Sequence, residues 1–249
     1  VVTFPGSGIS GWVLDEDEVY EGDLNLGGET LDLNGNTLVI NGSLIQSGGT
    51  VAINGGQLIV TGDYRLQTPK DDGSYEYSNG YLNMTNAADC MQVAGDFVTQ
   101  SQHNHSDLLT AGVLEVKGDF IHQGASQAFA ASGEHKVLLS GNSSQTVNFA
   151  NPSSTNSRFN ILEITNSSEA GVRFASRAVV IKELMATDSP VANSRYLQLA
   201  GNAVVSGGLW HYDLSMSENL TLRQDLSVAG DFFLAGGVLN IYGKKFTVG

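Results

Sequence analysis

Two histidines, His103 and His105, stand one residue apart in the polar segment SQHNHSD at 101–107. Residues two apart on a β-strand share a face, so the two imidazoles have the spacing with which a zinc site begins. A third ligand is not identifiable from the sequence, although His122 and His135 follow in the next repeat. Because the segment is so polar, we favour a solvated corner that takes part in binding, and we predict no bound metal.

Aspartate recurs at one position of a repeat, directly after a glycine that opens each copy. Stacked carboxylates about 5 Å apart repel one another unless something compensates their charge. We favour hydrogen bonds from the turn N–H groups of each aspartate's own corner. Calcium is the alternative, since it takes several carboxylate and carbonyl oxygens, but the GGxGxDxUx repeat of calcium-loaded β-rolls is absent. We therefore predict no cofactor. The recurring residues are Asp63, Asp96, Asp119 and Asp231.

The middle of the chain holds the one locally basic part of an acidic sequence. A polysaccharide-cleaving β-helix needs a groove with a base and carboxylates, and residues 158–212 supply diffuse candidates for it. However, no Ser-His-Asp order, phosphate-binding glycine loop or paired-carboxylate spacing rises above chance. We predict that the protein is not an enzyme, with a carbohydrate-active or carbohydrate-binding β-helix as the alternative. The charged candidates are Arg158, Arg173, Arg177, Lys182, Glu183 and Arg195.

A segment at 68–79, TPKDDGSYEYSN, interrupts the repeat and is predicted to project from one corner as a loop. Solenoids place recognition in such loops. Aromatic rings also stack on the faces of sugars, so exposed tyrosines and tryptophans are candidates for glycan binding. The candidate binding residues, besides the histidines and arginines above, are Asp71, Asp72, Tyr75, Tyr77, Trp210 and Tyr212.

The elements that position these residues come from an internal repeat. The segment 22–41, GDLNLGGETLDLNGNTLVIN, is followed by a second copy at 42–61, GSLIQSGGTVAINGGQLIVT. Within each copy apolar residues alternate over short runs, which is the period of a strand with one buried face. Asn-Gly pairs punctuate the runs, and the copy-to-copy identity favours solenoid corners over type I′ hairpin turns. Equivalent positions should stack, and we expect Leu24 over Leu44 over Leu66.

The repeat predicts an all-β fold: a single-stranded parallel β-helix, or β-solenoid, of roughly ten coils with corner-loop insertions. Residues 1–21 do not fit the repeat and are assigned to an irregular N-terminal cap or first coil, while 22–249 form the β-helix. The repeats are clear at 22–141 and 219–249, with a degenerate middle at 142–218. At about 4.8 Å per stacked strand, ten coils make a rod on the order of 50 Å long.

Composition narrows the range of partners. The 249 residues carry 12 Lys and Arg against 26 Asp and Glu, a formal charge of −14, and this balance opposes binding to nucleic acid or to an anionic membrane. No stretch reaches the roughly 18 apolar residues of a membrane span, so we predict no membrane insertion. The single cysteine, Cys90, is predicted to be a small core residue. The sequence stops at Gly249, where another coil could begin, so we expect the natural chain to be longer.

Phrases of the form GGxLxIxGxxLxVxGD at 48–63 and 236–249 resemble the β-helical repeat regions of large bacterial surface and secreted proteins, in the manner of filamentous-haemagglutinin-like adhesins. Four further segments resemble a module of large multidomain bacterial exoproteins. The resemblance carries no catalytic motif, and it implies a bacterial extracellular or cell-surface location. The four segments are LNMTNAAD (82–89), LTAGVLEVKGDF (109–120), ASGEHKVLLSG (131–141) and FNILEITNSS (159–168).

The repeat and the resemblance lead to one expectation about function. We expect a structural or adhesive β-solenoid module that acts as a stiff stalk. Its corner loops, at 68–79 and 101–108, would contact a protein or a glycan on a cell surface.

Overall fold

The computed structural model describes residues 11–186, 191–192, 197–201, 203–206, 209–210, 214–216, 219–228 and 230–249. These residues form 30 strands and no helix, so the all-β prediction is confirmed. It follows that this part of the chain has no helix long and apolar enough to cross a bilayer.

Short strands make up the first half of the chain, as the brief apolar runs predict. They are β1 (Trp12–Val13), β2 (Glu18–Glu21), β3 (Leu24–Gly27), β4 (Leu31–Asp32), β5 (Thr37–Asn41), β6 (Leu44–Gln46), β7 (Thr50–Ala52), β8 (Gln57–Val60), β9 (Tyr64–Pro69), β10 (Tyr75–Tyr77), β11 (Tyr81–Asn83), β12 (Cys90–Val93), β13 (Phe97–Thr99), β14 (Val113–Val116) and β15 (Phe120–His122).

The second half continues in the same way, with one longer strand. Its strands are β16 (Lys136–Leu139), β17 (Gln145–Phe149), β18 (Phe159–Ile164), β19 (Val172–Phe174), β20 (Ala178–Ala186), β21 (Val191–Ala192), β22 (Leu197–Leu199), β23 (Ala203–Ser206), β24 (Leu209–Trp210), β25 (Leu214–Met216), β26 (Leu220–Leu222), β27 (Leu226–Val228), β28 (Phe232–Leu234), β29 (Leu239–Asn240) and β30 (Phe246–Val248).

The strands stack into parallel sheets that form a β-solenoid of about 10 turns. In the first complete turn, β3, β4 and β5 belong to three different sheets, and β6, β7 and β8 repeat that order one turn later. The sheets contain nine, four and 14 strands, and a fourth sheet of three strands lies near the C-terminal end. Among the named strands, β10 with β9 is the one antiparallel pair. The predicted parallel β-helix is therefore correct.

The buried faces of the coils meet in one continuous core. Leu24 pairs with Leu44, and Leu44 pairs with Tyr64. The expectation that Leu66 continues this column is wrong, because each coil is in register from its opening glycine and the third copy has tyrosine two residues after Gly62. Leu66 lies two residues further along the same strand and is also buried.

Aromatic rings extend this column through the next turns. Tyr64 pairs with Phe97 and Phe97 with Phe120, with ring centroids 5.3 and 5.1 Å apart. The ring of Phe149 stacks on that of Phe120 at 5.3 Å. We call Tyr64, Phe97, Phe120 and Phe149 the aromatic stack. The Tyr64 hydroxyl donates to Gln46 Oε1 at 2.6 Å, and burial raises the pKa of Tyr64 far above its usual value.

The Asn-Gly pairs form corners between sheets. Asn34 and Gly35 connect β4 to β5 with φ angles of 50° and 83°, and Asn54 and Gly55 connect β7 to β8 with 45° and 82°. Asparagine and glycine tolerate this left-handed region better than other residues do. Because β4 and β5 pair with other coils and not with each other, these corners are not hairpin turns.

From Gly42 to Gly141, the glycine that opens each copy is required by contact between coils. The N–H of Gly62 donates to the carbonyl of Gly42 at 2.8 Å, and Gly95 and Gly118 continue the series at 2.9 and 3.0 Å. A Cβ at Gly42 would lie 2.4 Å from the carbonyl carbon and oxygen of Gly22. The backbones thus approach too closely for a side chain, which explains the repeat of glycine in the sequence.

The two assigned ends and the degenerate middle have the following structure. Strands β1 and β2 pair in parallel with β4 and β5, so residues 12–21 stack on the first repeat, whereas 1–10 lie outside the described part of the chain. In the middle, β18 and β20 pair with a register shift between Phe159 and Ile161. The nine residues of β20 then pair with both β22 and β23. This irregular pairing explains why the repeat is hard to read there.

Cys90 does not lie in the core, contrary to the prediction. It begins β12 with its side chain half-buried, and the neighbouring Met91 points into the core instead. Gln57 Nε2 lies 3.8 Å from the Cys90 sulfur, and burial raises the pKa of the thiol. The alternation of the strand places Cys90 on the outer face.

Candidate functional site

One coil of the solenoid is longer than its neighbours and carries a hairpin. Gly62 stacks directly on Gly42, 20 residues earlier, whereas Gly95 stacks on Gly62 across 33 residues. The additional residues extend β9 outward to Pro69 and return as β10, which pairs with β9 in an antiparallel manner. The predicted loop at 68–79 is therefore a β-hairpin, which we call the corner hairpin.

The tip of the corner hairpin is a tight turn. The N–H of Lys70 donates to the carbonyl of Ser74 at 2.9 Å, and the N–H of Gly73 donates to the carbonyl of Lys70 at 3.0 Å. Asp72 accepts from the hydroxyl and the N–H of Ser74, and these bonds lower the pKa of its carboxyl group. Asp71 and Asp72 are both exposed at this tip, so the predicted acidic residues lie at the outermost point of the hairpin.

A cation joins the hairpin to the body of the coil. The guanidinium of Arg65 bonds to Asp63 Oδ2 at 2.7 Å and lies 5.1 Å from the centre of the Tyr75 ring. A cation over an aromatic face is attracted by the ring electrons. Tyr75 is therefore partly covered, while Tyr77 on the same strand is 47% exposed.

The base of the corner hairpin is anchored in the sheet by Ser78. The Ser78 hydroxyl donates to the carbonyl of Gln46 at 2.9 Å, and its N–H donates to the carbonyl of Gln100 at 3.1 Å. The next residue, Asn79, donates its N–H to the carbonyl of Ser47 at 2.9 Å. These bonds to the coils on either side hold the hairpin base in a defined position.

A groove of about 630 Å³ lies between the corner hairpin and the preceding coils. One wall is formed by the hairpin and by Gln102 of the next coil, and the floor is formed by corner residues of the first two repeats. We call this the hairpin groove. Its lining residues are Gly28, Ser47, Gly48, Gly49, Thr68, Glu76, Tyr77, Asn79 and Gln102.

The predicted histidine pair lies in the following corner, but only part of it is solvated. The rings of His103 and Tyr81 stack at 4.4 Å, and His105 is completely buried. His105 Nε2 accepts from the N–H of Leu82 at 3.2 Å, so its other nitrogen, Nδ1, carries the proton and donates to the carbonyl of His103 at 3.1 Å. Burial lowers the pKa of His105 to about 4. With both ring nitrogens engaged, His105 is a packing residue of the corner.

Two further buried histidines follow in later coils. His122 Nε2 lies 2.9 Å from the Ser157 hydroxyl, and neither ring nitrogen of His135 has a hydrogen-bond partner. Burial lowers the pKa of His122 to about 4 and that of His135 to about 3. Among the described residues no group of three or more His, Cys, Asp or Glu side chains is placed to hold a metal ion.

The structure does not bring the predicted Arg158 and Arg173 together. Arg158 precedes β18 and donates to the carbonyl of Asn156 at 2.8 Å, and burial lowers the pKa of its guanidinium. Arg173 is exposed on β19, which belongs to a different sheet. Within the described ranges no hydrogen bond or ion pair joins these two side chains.

Three other charged residues of the middle region, Glu163, Lys182 and Glu183, are engaged in ion pairs between coils. Lys136 bonds to Glu163 at 2.7 Å, Arg223 bonds to Glu183 at 3.0 Å, and Lys182 bonds to Glu134. These pairs lie along the outer face of the 14-stranded sheet, beside a groove of about 310 Å³. Its lining residues are Ala87, Gly112, Val113, Glu134, Lys136, Ile161, Glu183 and Met185.

The remaining aromatic candidates are only partly placed. Trp210 belongs to β24 and pairs with Val228. Tyr212 lies outside the described residues, as does Arg195. Their part in glycan binding therefore stays a prediction.

The stacked aspartates are bonded differently from the prediction. Asp63 Oδ1 accepts from the N–H of Asp96, Asp96 Oδ1 from the N–H of Asp119, and Asp119 Oδ1 from the N–H of Thr146. Each carboxylate thus bonds to the next coil and not to its own corner, because parallel stacking brings the following N–H within 2.8 Å. We call this series the aspartate ladder. Asp231 is exposed in the last turns.

Sequence reasoning missed the polar residues of the hairpin groove. Ser47, Asn79 and Gln102 belong to three different coils or connections and share no motif. The signal that points toward them is the Gly48-Gly49 pair, which leaves a corner without side chains beside the insertion.

Comparison with protein-family models, with curated proteins and with solved structures finds no match to this chain.

Proposed function

We propose that this chain is a structural β-solenoid module of a bacterial extracellular or cell-surface protein. Its coils act as a stiff stalk, and the corner hairpin contacts a protein or a glycan on another surface. The observation that carries this proposal is the hairpin itself, since an antiparallel pair leaves an otherwise parallel stack at one corner and borders a groove.

Two features support the stalk part of the proposal. The buried apolar residues of the described chain form one core cluster that extends from Leu14 to Val228, and the aromatic stack adds ring contacts across successive coils. The aspartate ladder adds hydrogen bonds between coils at the corner where each copy begins. Such a solenoid resists bending because every coil is bonded to both neighbours.

Exposure and anchoring support the display part. The tip of the corner hairpin carries exposed acidic residues, while its base is fixed by Ser78. A binding element that is held rigidly loses little conformational entropy when it engages a partner. We further propose that the module binds without catalysis and without a cofactor.

The test compares the chain with a variant in which residues 69–76 are replaced by a two-residue Asn-Gly turn. Binding of both purified proteins to fixed bacterial and epithelial cells is measured by fluorescence. We expect at least a tenfold loss of binding for the shortened hairpin, with an unchanged circular dichroism spectrum.

The matched control changes the second predicted loop, as Asn104→Ala with Asp107→Ala, and should retain binding. Equal binding by the shortened variant would contradict the display role. New reducing ends released from polysaccharides by the wild-type chain would contradict the non-catalytic part and favour the 158–212 region as an active site.

A further inference from the structure

We propose that the hairpin groove binds a short, neutral oligosaccharide. This inference rests on the proposed display function and names the class of ligand that the display element takes. It is carried by the glycine floor of the groove, by the free polar side chains along its walls, and by the absence of any cation among its lining residues.

The floor of the groove is bare because stacking demands it. A Cβ at Gly49 would lie 2.0 Å from the carbonyl oxygen of Glu29, and a Cβ at Gly48 would lie 3.2 Å from the Cα of Gly28. Around Gly28 the space is open, since a Cβ there meets nothing within 4 Å. The three glycines therefore leave a cleft without side chains, in which Gly48 is buried while the backbone of Gly28 is exposed and that of Gly49 is partly exposed to a ligand.

The walls offer hydrogen-bonding groups that the described protein does not use. The side chains of Ser47, Asn79 and Gln102 have no hydrogen-bond partner within the described part of the chain, and Asn79 and Gln102 are exposed. A hydroxyl and two amides supply both donors and acceptors. Sugar hydroxyls are donors and acceptors as well, so each of these groups finds a complement in a sugar.

The wall formed by the hairpin supplies an aromatic surface and one charge. Tyr77 lines the groove and is 47% exposed, which makes its ring available to the face of a sugar. Glu76 is the one charged residue in the lining, and its carboxylate lies 3.4 Å from Lys70 Nζ. Lys70 does not line the groove, so a uronic acid or a sulfated sugar would find no cation among the lining residues to bind its negative charge, in a chain of formal charge −14. The charges therefore favour a neutral ligand.

The size of the groove fits this ligand class. Its volume of about 630 Å³ lies within the range of about 300–1,000 Å³ that is typical of small-molecule sites. A lining with a single aromatic residue and several amide and hydroxyl groups gives little surface for the apolar side chains of a peptide. The ligand that fits the hairpin groove is therefore a sugar, and binding of a peptide instead is one outcome of the test below.

The experiment screens the full chain on an array of neutral di- to tetrasaccharides, of uronic-acid oligosaccharides and of extended peptides, and then measures affinity for the best ligand by calorimetry. Tyr77→Ala removes the ring and Gln102→Ala removes an amide, and each is expected to weaken binding at least tenfold. Gly28→Phe fills the groove from a position where the protein itself leaves space. It should abolish binding without changing thermal stability.

Phe233→Ala is the control, because it also removes an exposed aromatic ring but lies outside the hairpin and the groove lining, and it should bind within twofold of the wild type. Binding confined to acidic sugars or to peptides would overturn the inference, as would a Gly28→Phe variant that binds normally. If no sugar binds while cell binding still depends on the corner hairpin, the sugar inference fails and the display function stands. If shortening the hairpin has no effect on cell binding, the display function fails.

Discussion

The carboxylate of Asp96 accepts a hydrogen bond from the backbone N–H of Asp119, at 2.8 Å, one coil further along the solenoid. Asp96 and Asp119 thus lie in neighbouring turns, joined by a hydrogen bond between the side chain of Asp96 and the backbone of Asp119. Burial raises the pKa of Asp96 above its ordinary value, and repulsion from Asp63 and Asp119 acts in the same direction. Each step of the aspartate ladder therefore adds a stabilising hydrogen bond, and repulsion between the stacked carboxylates offsets part of that stabilisation.

Substitution of Asp96 separates these two contributions. Asp96→Ala removes the acceptor and should lower the free energy of unfolding by about 1 kcal/mol. Asp96→Asn keeps the acceptor oxygen and removes the charge, so it should be at least as stable as the wild type at pH 7. Because the folded pKa of Asp96 is raised, the wild type loses stability as the pH rises through that pKa, and the neutral Asn variant does not.

Urea unfolding at pH 4 and pH 7 measures both effects. The difference between Asp96→Asn and the wild type should favour the variant more at pH 7 than at pH 4. If Asp96→Asn is as unstable as Asp96→Ala at both values, charge repulsion in the ladder is not significant.

The buried histidines differ in how well they are satisfied, and a matched pair of variants tests this. Neither ring nitrogen of His135 has a partner, so His135→Leu removes a buried polar group and should raise the free energy of unfolding by about 1 kcal/mol. His105→Leu leaves the N–H of Leu82 without its acceptor and should lower it by about 1–3 kcal/mol. Guanidinium unfolding at pH 7 compares the two, and equal effects of the same sign would contradict the assignment of partners.

Acid should unfold the protein partly through these histidines. Burial lowers the pKa of His105 and His122 to about 4 and that of His135 to about 3, whereas an unfolded histidine titrates near 6.5. Between the folded and the unfolded pKa, the unfolded state therefore binds a proton on each of these histidines that the folded state does not bind. Above about pH 6.5 these histidines do not lower the free energy of unfolding. As the pH falls from there toward the folded pKa values, the free energy of unfolding decreases.

The slope of stability against pH measures that uptake. Well below pH 6.5 each buried histidine should contribute about 1.4 kcal/mol per pH unit. Between pH 6 and pH 4.5 the slope of the His135→Leu variant should correspond to one proton fewer taken up on unfolding than in the wild type. An unchanged slope would contradict the burial of His135 in its neutral form.

The opening glycines that stack on the glycine or backbone of a preceding coil, Gly42 to Gly141, are predicted to tolerate no side chain. In Gly118→Ala the Cβ would lie 2.4 Å from the carbonyl carbon and oxygen of Gly95, and the loss of stability should be about 2–3 kcal/mol. Gly28→Ala is the control, since its Cβ meets nothing within 4 Å, and it should change stability by less than about 0.5 kcal/mol. Thermal unfolding of the two variants provides the comparison, and a tolerated Gly118→Ala would mean that the coils can move apart.

The sequence predicted the features that depend on the repeat. Alternating apolar residues and glycines at a fixed spacing define a parallel stack, because any coil that shifted by one residue would expose its buried face. Asn34-Gly35 was assigned to a corner on that basis. The core column contains Tyr64 where Leu66 was expected, and the reason is also the repeat. The register of each coil follows its opening glycine and not the nearest leucine.

The features that depend on contacts between coils were less predictable. Whether the carboxylates of Asp63 and Asp96 accept from their own corner or from the next coil depends on the distance between stacked coils. The sequence does not give that distance. The complete burial of His105 was missed because its neighbours are polar, although a polar corner still encloses a ring when the adjacent coil covers it. The hairpin groove joins residues that share no motif, so only the fold places Ser47 beside Gln102.

The aromatic stack offers the largest expected loss of stability. Phe120 is fully buried, stacks between Phe97 and Phe149, and meets the edges of Phe129 and Phe159 with ring centroids at 4.9 and 5.0 Å. Phe120→Ala removes all these contacts and leaves a cavity that the flanking coils cannot close, because their backbones are already bonded at fixed spacing. The free energy of unfolding should fall by about 3–5 kcal/mol.

Two variants bracket this result in the same urea unfolding experiment. Phe120→Leu keeps part of the apolar volume and should be intermediate between the wild type and the alanine variant. Phe233→Ala removes a ring that is 52% exposed near the C-terminal end and should change stability much less than Phe120→Ala. If Phe120→Ala and Phe233→Ala lower the free energy of unfolding equally, the packing of Phe120 in the aromatic stack contributes no more to stability than an exposed ring does.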